Sequence, residues 1–141
     1  MKIWPFSQFA AKTNGQFISA EDLAKGTEPF RLIHEAMGDR MEIAVEMGQS
    51  WNLPSAIKIA QAVTPFKPMW FEDAVQMDNL DALAQFRKST NIPTIASENV
   101  STRWSFREMF VNQATDICMF DLGWVGGISE AKRIATMAES F

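Results

Sequence analysis

Cysteine is nearly missing from this chain. Cys118 stands alone inside an apolar, strand-like run, so no disulfide framework can form within the chain and the thiol reads as a buried small hydrophobe. That usage suits a reducing cytoplasm. Histidine is as scarce: His34 lies mid-helix in FRLIHEAMGDR and reads as a surface or interhelix residue rather than a ligand. The 13 Lys and Arg residues are scattered singly against 17 Asp and Glu, which leaves a net charge of −4 and no basic stripe. Nucleic acid and anionic membranes are therefore poor partners. No run reaches the roughly 18 apolar residues of a membrane span, and MKIWPFSQFAAK has no continuous apolar region of the kind a signal peptide carries. Neither targeting nor anchoring is expected. Disorder is not expected either, because 141 residues that are 47% hydrophobic and 21% charged suffice for one packed domain.

What the chain does have is acid at regular intervals. Glu46, Glu72 and Glu98 stand 26 residues apart, and each closes an apolar, β-prone run, MEIAVE, PMWFE and PTIASE. TDICMFD ends on a fourth acid, Asp121, 23 residues after Glu98. A period of roughly 25 residues is one βα unit, a short strand and a helix of about 11 residues with two loops. Parallel neighbours run about 4.8 Å apart, so side chains at three adjacent strand tips can converge. Two carboxylates ~5 Å apart repel by about 3 kcal/mol at an effective dielectric near 20, and three such pairs approach 10 kcal/mol. A hard divalent cation with oxygen ligands, most simply Mg²⁺, would neutralise them. Any one of these acids taken singly also fits a helix N-cap or a solvated strand end.

The punctuation predicts five βα units without a linker. KIWPF is a short first strand, followed by a long polar connection through Asn14-Gly15. Ser19 opens a helical region at capping-box spacing to Asp22. Gly26 and Pro29 predict a break there, with Thr27 capping a second helical piece that stops at Gly38. Asn52 starts the next helix with Pro54 in its first turn, Asp78 the one after, and Ser101 or Thr102 the fourth. The last helix runs from about Ser129. Strands rich in Val, Ile, Phe and Trp alternating with amphipathic helices predict an α/β fold with a parallel sheet. A five-stranded flavodoxin-like module matches the unit count, but it requires acids only at its switch-point loops, and the three even glutamates count against it.

The segments VEMGQSWN, WFED, ASEN and FDLGWVGGISEA resemble barrel strands of the enolase superfamily, in its mandelate racemase/muconate lactonizing enzyme branch, and the resemblance extends to the helix PSAIKIAQAV. It implies a partial TIM-type (β/α) barrel whose five units match strands two to six of the family's eight, with the remaining strands and the capping domain outside residues 1–141. It also implies that Glu46, Glu72 and Glu98 bind Mg²⁺, and that the reaction is abstraction of the proton α to a carboxylate, with the metal stabilising the enediolate. Lys2 matches the first lysine of the branch's Lys-x-Lys base motif, whereas Trp4 stands at the second. Asp121 matches the aspartate of its His-Asp dyad, and the histidine belongs to a strand beyond Phe141.

Asn99 and Arg103, on the loop after Glu98, are the expected contacts to a hydroxy-carboxylate or sugar-acid substrate. Dehydration of a sugar acid is favoured over racemisation, which needs two opposed bases. Open sheet edges predict a homo-oligomer or self-association, and residues 1–141 alone are not expected to turn substrate over; the alternatives are a racemase or isomerase of the same branch, or an inactive half-barrel that only binds metal or associates with itself. The tryptophans near strand tips, Trp51, Trp70, Trp104 and Trp124, read mainly as lids on the core. Close packing is the expected reason for Gly126-Gly127.

Overall fold

In the computed structural model, which describes residues 1–141, the five apolar runs form five short strands: β1 (Lys2–Ile3), β2 (Ala44–Glu46), β3 (Phe71–Glu72), β4 (Thr94–Ala96) and β5 (Ile117–Cys118). They make one sheet in sequential order, every pair parallel. Six α-helices connect and cover them: α1 (Ser7–Thr13), α2 (Ala20–Met37), α3 (Leu53–Val63), α4 (Leu80–Lys88), α5 (Thr102–Val111) and α6 (Ile128–Ala138). Sequential order with a helix at every crossover is the arrangement of an α/β barrel wall, and β1 and β5 form its two edges.

Capping chemistry starts several helices where the sequence places them. Ser19 Oγ accepts from the Asp22 N–H at 3.0 Å, and Asn52 Oδ1 accepts from the Ser55 N–H at 3.0 Å ahead of Pro54. Gly38 ends α2 in a left-handed φ of 54°, as expected of a C-terminal glycine. Asn79, and not Asp78, caps α4 through the Ala82 N–H, because Asp78 stands one residue too early to reach that amide. Ser101 occupies the N-cap of α5 without a side-chain bond.

Two expectations fail in the first unit. The polar connection after β1 contains a helix, α1, whose Phe9 and Ala10 are buried. The break predicted at Gly26 and Pro29 does not occur, and α2 runs unbroken through both. A Cβ on Gly26 would lie 2.2 Å from the Phe6 ring, so this glycine serves close approach rather than helix termination. Thr27 lies inside the helix and donates its hydroxyl to the Leu23 carbonyl instead of capping.

Phe6 stacks on Phe30 at 6.3 Å, and Phe30 on Phe66 at 6.2 Å, so the α1–α2 corner packs into the main core. Phe6, Phe30, Phe71, Phe86 and Phe106 are fully buried between sheet and helices, each worth about 2–3 kcal/mol of transfer free energy. His34 is exposed and sits edge-on to Phe66, a surface role as read. Cys118 is only half-buried, because β5 is an edge strand, and burial pushes its thiol up to about 11. Of the four tryptophans read as lids, Trp51 is buried and Trp70 half-buried, whereas Trp104 and Trp124 are exposed at 68% and 59%. No helix is long and apolar enough to cross a membrane.

Candidate metal centre

The register of β2 on β3 pairs Glu46 directly with Glu72, which sets the two carboxylates side by side at the C-terminal strand ends. Both are buried, at 6% and 1% exposure. Lys2 pairs with Ala44, one step of the pleat below Glu46, so its side chain shares that face and reaches up to the acids. Its Nζ stands 2.6 Å from Glu72 Oε1 and 3.3 Å from Glu46 Oε2. The Gly48 N–H donates to Glu46 Oε1 at 2.8 Å, and Trp70 Nε1 donates to Glu72 Oε2 at 3.2 Å. Every oxygen of the pair thus has a donor. Trp4, in place of a second lysine, lies under the Lys2 ammonium at 5.4 Å from the ring centroid.

The electrostatics follow from burial. Desolvation works against the charge on Lys2, but hydrogen bonds and attraction from Glu72 and then Glu46 outweigh it and hold the ammonium above its ordinary range. Lys2 sits closer to Glu72, so less of its charge reaches Glu46. Burial, then contact with Glu72, pushes the Glu46 carboxyl up to about 7 against the opposing Gly48 N–H. Asp73, next in sequence, is 3% exposed and pushed up to about 6, first by burial and then by the charges of Glu72 and Glu98, while bonds from Gln49 and Ser97 oppose the shift.

Glu98 stands apart. β4 pairs Ile95 with Glu72, so Glu98 lies three residues beyond that level, exposed in the turn after the strand. Even spacing in sequence does not become even height in the sheet. The structure therefore brings Glu46 and Glu72 together and leaves Glu98 outside the pair, and no three His, Cys, Asp or Glu side chains are clustered to hold an ion. The residues nevertheless suit a hard cation. They supply carboxylate oxygens in excess of positive charge, and the locus between Glu46 and Glu72 already holds an ammonium. Buried Asp73 Oδ1 has no hydrogen-bond partner.

The other expected site residues are more dispersed. Asp121 Oδ1 accepts from the N–H groups of Gly123 and Trp124 at 2.7 and 3.1 Å, tying the turn after β5, and Oδ2 makes no bond within the chain. Asn99 is exposed and lines a cleft of about 520 Å³ with Gln49, Gln76, Ser101 and Glu108, between the starts of α4 and α5. Arg103 is held by Glu130 of α6, with its Nε, terminal nitrogen and backbone N–H all donating to that carboxylate at 2.7–2.9 Å. Gly126 and Gly127 have φ of 111° and 84°, and a Cβ on Gly127 would meet nothing within 4 Å. Gly127 thus serves backbone conformation rather than the close packing expected of it. Sequence reasoning missed Asp73 and the bond from Trp70, although both were legible as neighbours of Glu72 in WFED.

Comparison with known proteins agrees with the fold. The enolase C-terminal domain-like family matches residues 1–141. The chain is 45% identical to an enolase of the mandelate racemase subgroup from Agrobacterium tumefaciens, whose structure superposes with a TM-score of 0.96 over 99% of this chain and 39% of that one. Among curated relatives, it is 30% identical to a protein named arabinonate dehydratase from Saccharolobus solfataricus, covering 86% of this chain and 33% of the relative. It is 33% identical to one named D-xylonate dehydratase from Haloferax volcanii, covering 77% and 26%. The chain thus spans about a quarter to a third of the length of these relatives. With its parallel βα wall and paired strand-end glutamates, the chain belongs to the enolase C-terminal domain-like family, in the mandelate racemase/muconate lactonizing enzyme branch of the enolase superfamily.

Proposed function

We propose that residues 1–141 carry the cation site of a Mg²⁺-dependent dehydratase acting on a sugar acid. The observation that carries this reading is the buried Glu46–Glu72 pair, set side by side by strand register around a positive charge. Relatives named as dehydratases of arabinonate, D-xylonate, D-gluconate and D-galactonate support the substrate class. Glu46, Glu72 and Glu98 would hold the ion. When bound, it supplies charge stabilisation to a substrate carboxylate as the α-proton leaves.

Lys2 is the proton-transfer group of the reading: without an ion its Nζ is held by Glu72 and Glu46, and an ion bound to those carboxylates would release it toward the substrate, where it would serve the elimination. Trp4 at the second lysine position removes the opposed base that racemisation needs and favours elimination. Asp121, through its free Oδ2, is the group to orient a proton-transfer partner, and Asn99 is the contact for substrate hydroxyls. Arg103, engaged by Glu130, contributes by fixing α5 to α6 below that loop. The cytoplasm is the compartment that suits such metabolism and the free thiol.

Linked binding tests the reading without requiring turnover. Mg²⁺ titrated into the chain by calorimetry should bind more tightly with arabinonate present than with arabinitol, which has the hydroxyls but no carboxylate. Equal affinity with both would overturn the sugar-acid assignment, and absence of Mg²⁺ binding would overturn the cation site.

A further inference from the structure

Asp73 touches all three strand ends that carry the glutamates. Its backbone N–H donates to Ile95 O of β4 at 3.1 Å, and its carbonyl accepts from the Gln49 N–H, in the loop after β2, at 2.7 Å. Its side chain repeats the linkage: Oδ2 accepts from Gln49 Nε2 at 3.2 Å and from Ser97 Oγ at 3.4 Å. Ser97 immediately precedes Glu98, and its Oγ also accepts the Asn99 N–H at 3.3 Å, so the turn bearing Glu98 is held from both sides. Gln49 follows Glu46 by three residues, and its carbonyl takes a further bond from Gln76 of the β3–α4 loop at 2.8 Å. One carboxylate oxygen therefore clamps the loops that follow β2 and β4, while Asp73 itself belongs to β3's loop.

The other oxygen is unexplained by the chain. Oδ1 is buried and receives no hydrogen bond, in a residue 3% exposed. A buried carboxylate oxygen without a donor costs about 1–3 kcal/mol or more. Such a group calls for an explanation, and an ordered water or a bound ion is one of those open to it.

Resting on the cation reading above, we infer that Asp73 is a positioning residue for the metal centre: Oδ2 fixes the loops that carry Glu46 and Glu98, and Oδ1 accepts a hydrogen bond from the hydration shell of the ion. Groups in this outer position typically change metal affinity by about 10–100-fold when removed. They act through orientation and hydrogen bonding, with no bond to the ion itself.

Asp73→Asn separates the two oxygens. The amide carbonyl can still accept from Gln49 and Ser97, whereas the NH₂ group replaces the Oδ1 acceptor with a donor. Mn²⁺ is the probe, followed by electron paramagnetic resonance of free and bound ion. Asp73→Asn should bind Mn²⁺ about tenfold more weakly than the unaltered chain, with a changed line shape for the bound ion and a metal-free melting temperature no lower. Gln49→Ala, which releases only one bond on Oδ2, should weaken binding about threefold and keep the line shape. Equal affinity in Asp73→Asn and the unaltered chain overturns the inference and leaves the cation site standing. Failure of the unaltered chain to bind Mn²⁺ overturns both. If Asp73→Asn loses its fold, an unchanged affinity in Gln49→Ala is the overturning result.

Discussion

Lys2 Nζ lies 2.6 Å from Glu72 Oε1, so the first strand of the chain supplies a cation to a carboxylate 70 residues away that is 1% exposed. The pair joins β1 to β3 across β2 and sits in the locus proposed for Mg²⁺. Internal ammonium and external cation thus answer the same requirement.

Replacing Lys2 with Met should leave Glu46 and Glu72 facing each other without neutralisation. The metal-free chain should lose about 2 kcal/mol, a value set below that of a fully buried pair because Lys2 is one-third exposed. Millimolar Mg²⁺ should restore more melting temperature to Lys2→Met than it adds to the unaltered chain. Thermal unfolding with EDTA and with Mg²⁺ provides the check, and equal Mg²⁺ shifts in both proteins would contradict a shared locus.

Glu98→Gln addresses the remote acid. The side chain is exposed and has no hydrogen bond within the chain, so its neutralisation should leave the metal-free melting temperature within measurement error while Mg²⁺ affinity falls at least severalfold. Unchanged affinity in calorimetry removes Glu98 from the site.

Stability should fall with rising pH. Glu46 is pushed up to about 7 and Asp73 to about 6, in both cases first by burial, so between about pH 4 and 7 the folded chain retains protons that the unfolded chain has released. More protons on the folded state means a negative slope of stability against pH, levelling above about 7. Urea unfolding across this range in EDTA should show the decline, and Mg²⁺ should flatten it. A stability that climbs through the same window contradicts the burial of these acids.

Glu130 carries the opposite sign. Its bonds from Arg103 hold its carboxyl down at about 2, so its contribution is complete above the ordinary carboxylate range and disappears as pH falls through about 2. Arg103→Ala should lower the melting temperature at neutral pH, and the difference should close near pH 2.

In Gly26→Ala, the gain of about 1 kcal/mol in helix propensity should be outweighed by the clash with Phe6, for a net loss of about 1–3 kcal/mol in chemical denaturation.

How much of this was legible in the sequence depended on whether the signal was local. Strand ends, caps and the glutamate period are set by neighbouring residues, and Ser19, Asn52, Glu46 and Glu72 fall where pattern places them. Gly26 and Pro29 misled because a glycine required by a distant ring looks, in sequence, like one that ends a helix. The offset of Glu98 was illegible for a related reason: register is decided by how strands pack, and even spacing carries no information about height. The bonds of Arg103 to Glu130 were illegible because the partner is 27 residues further on.

The offset of Glu98 has a consequence for ion choice. Two of the proposed ligands are fixed to the sheet and the third would come from a turn, so the size of the proposed site would be adjusted through one short stretch, Ser97–Glu98. Mg²⁺ takes its oxygens at about 2.0–2.1 Å and Ca²⁺ at about 2.3–2.6 Å. Lengthening that turn by a residue is therefore a route to exchanging the smaller ion for the larger with every strand left in place.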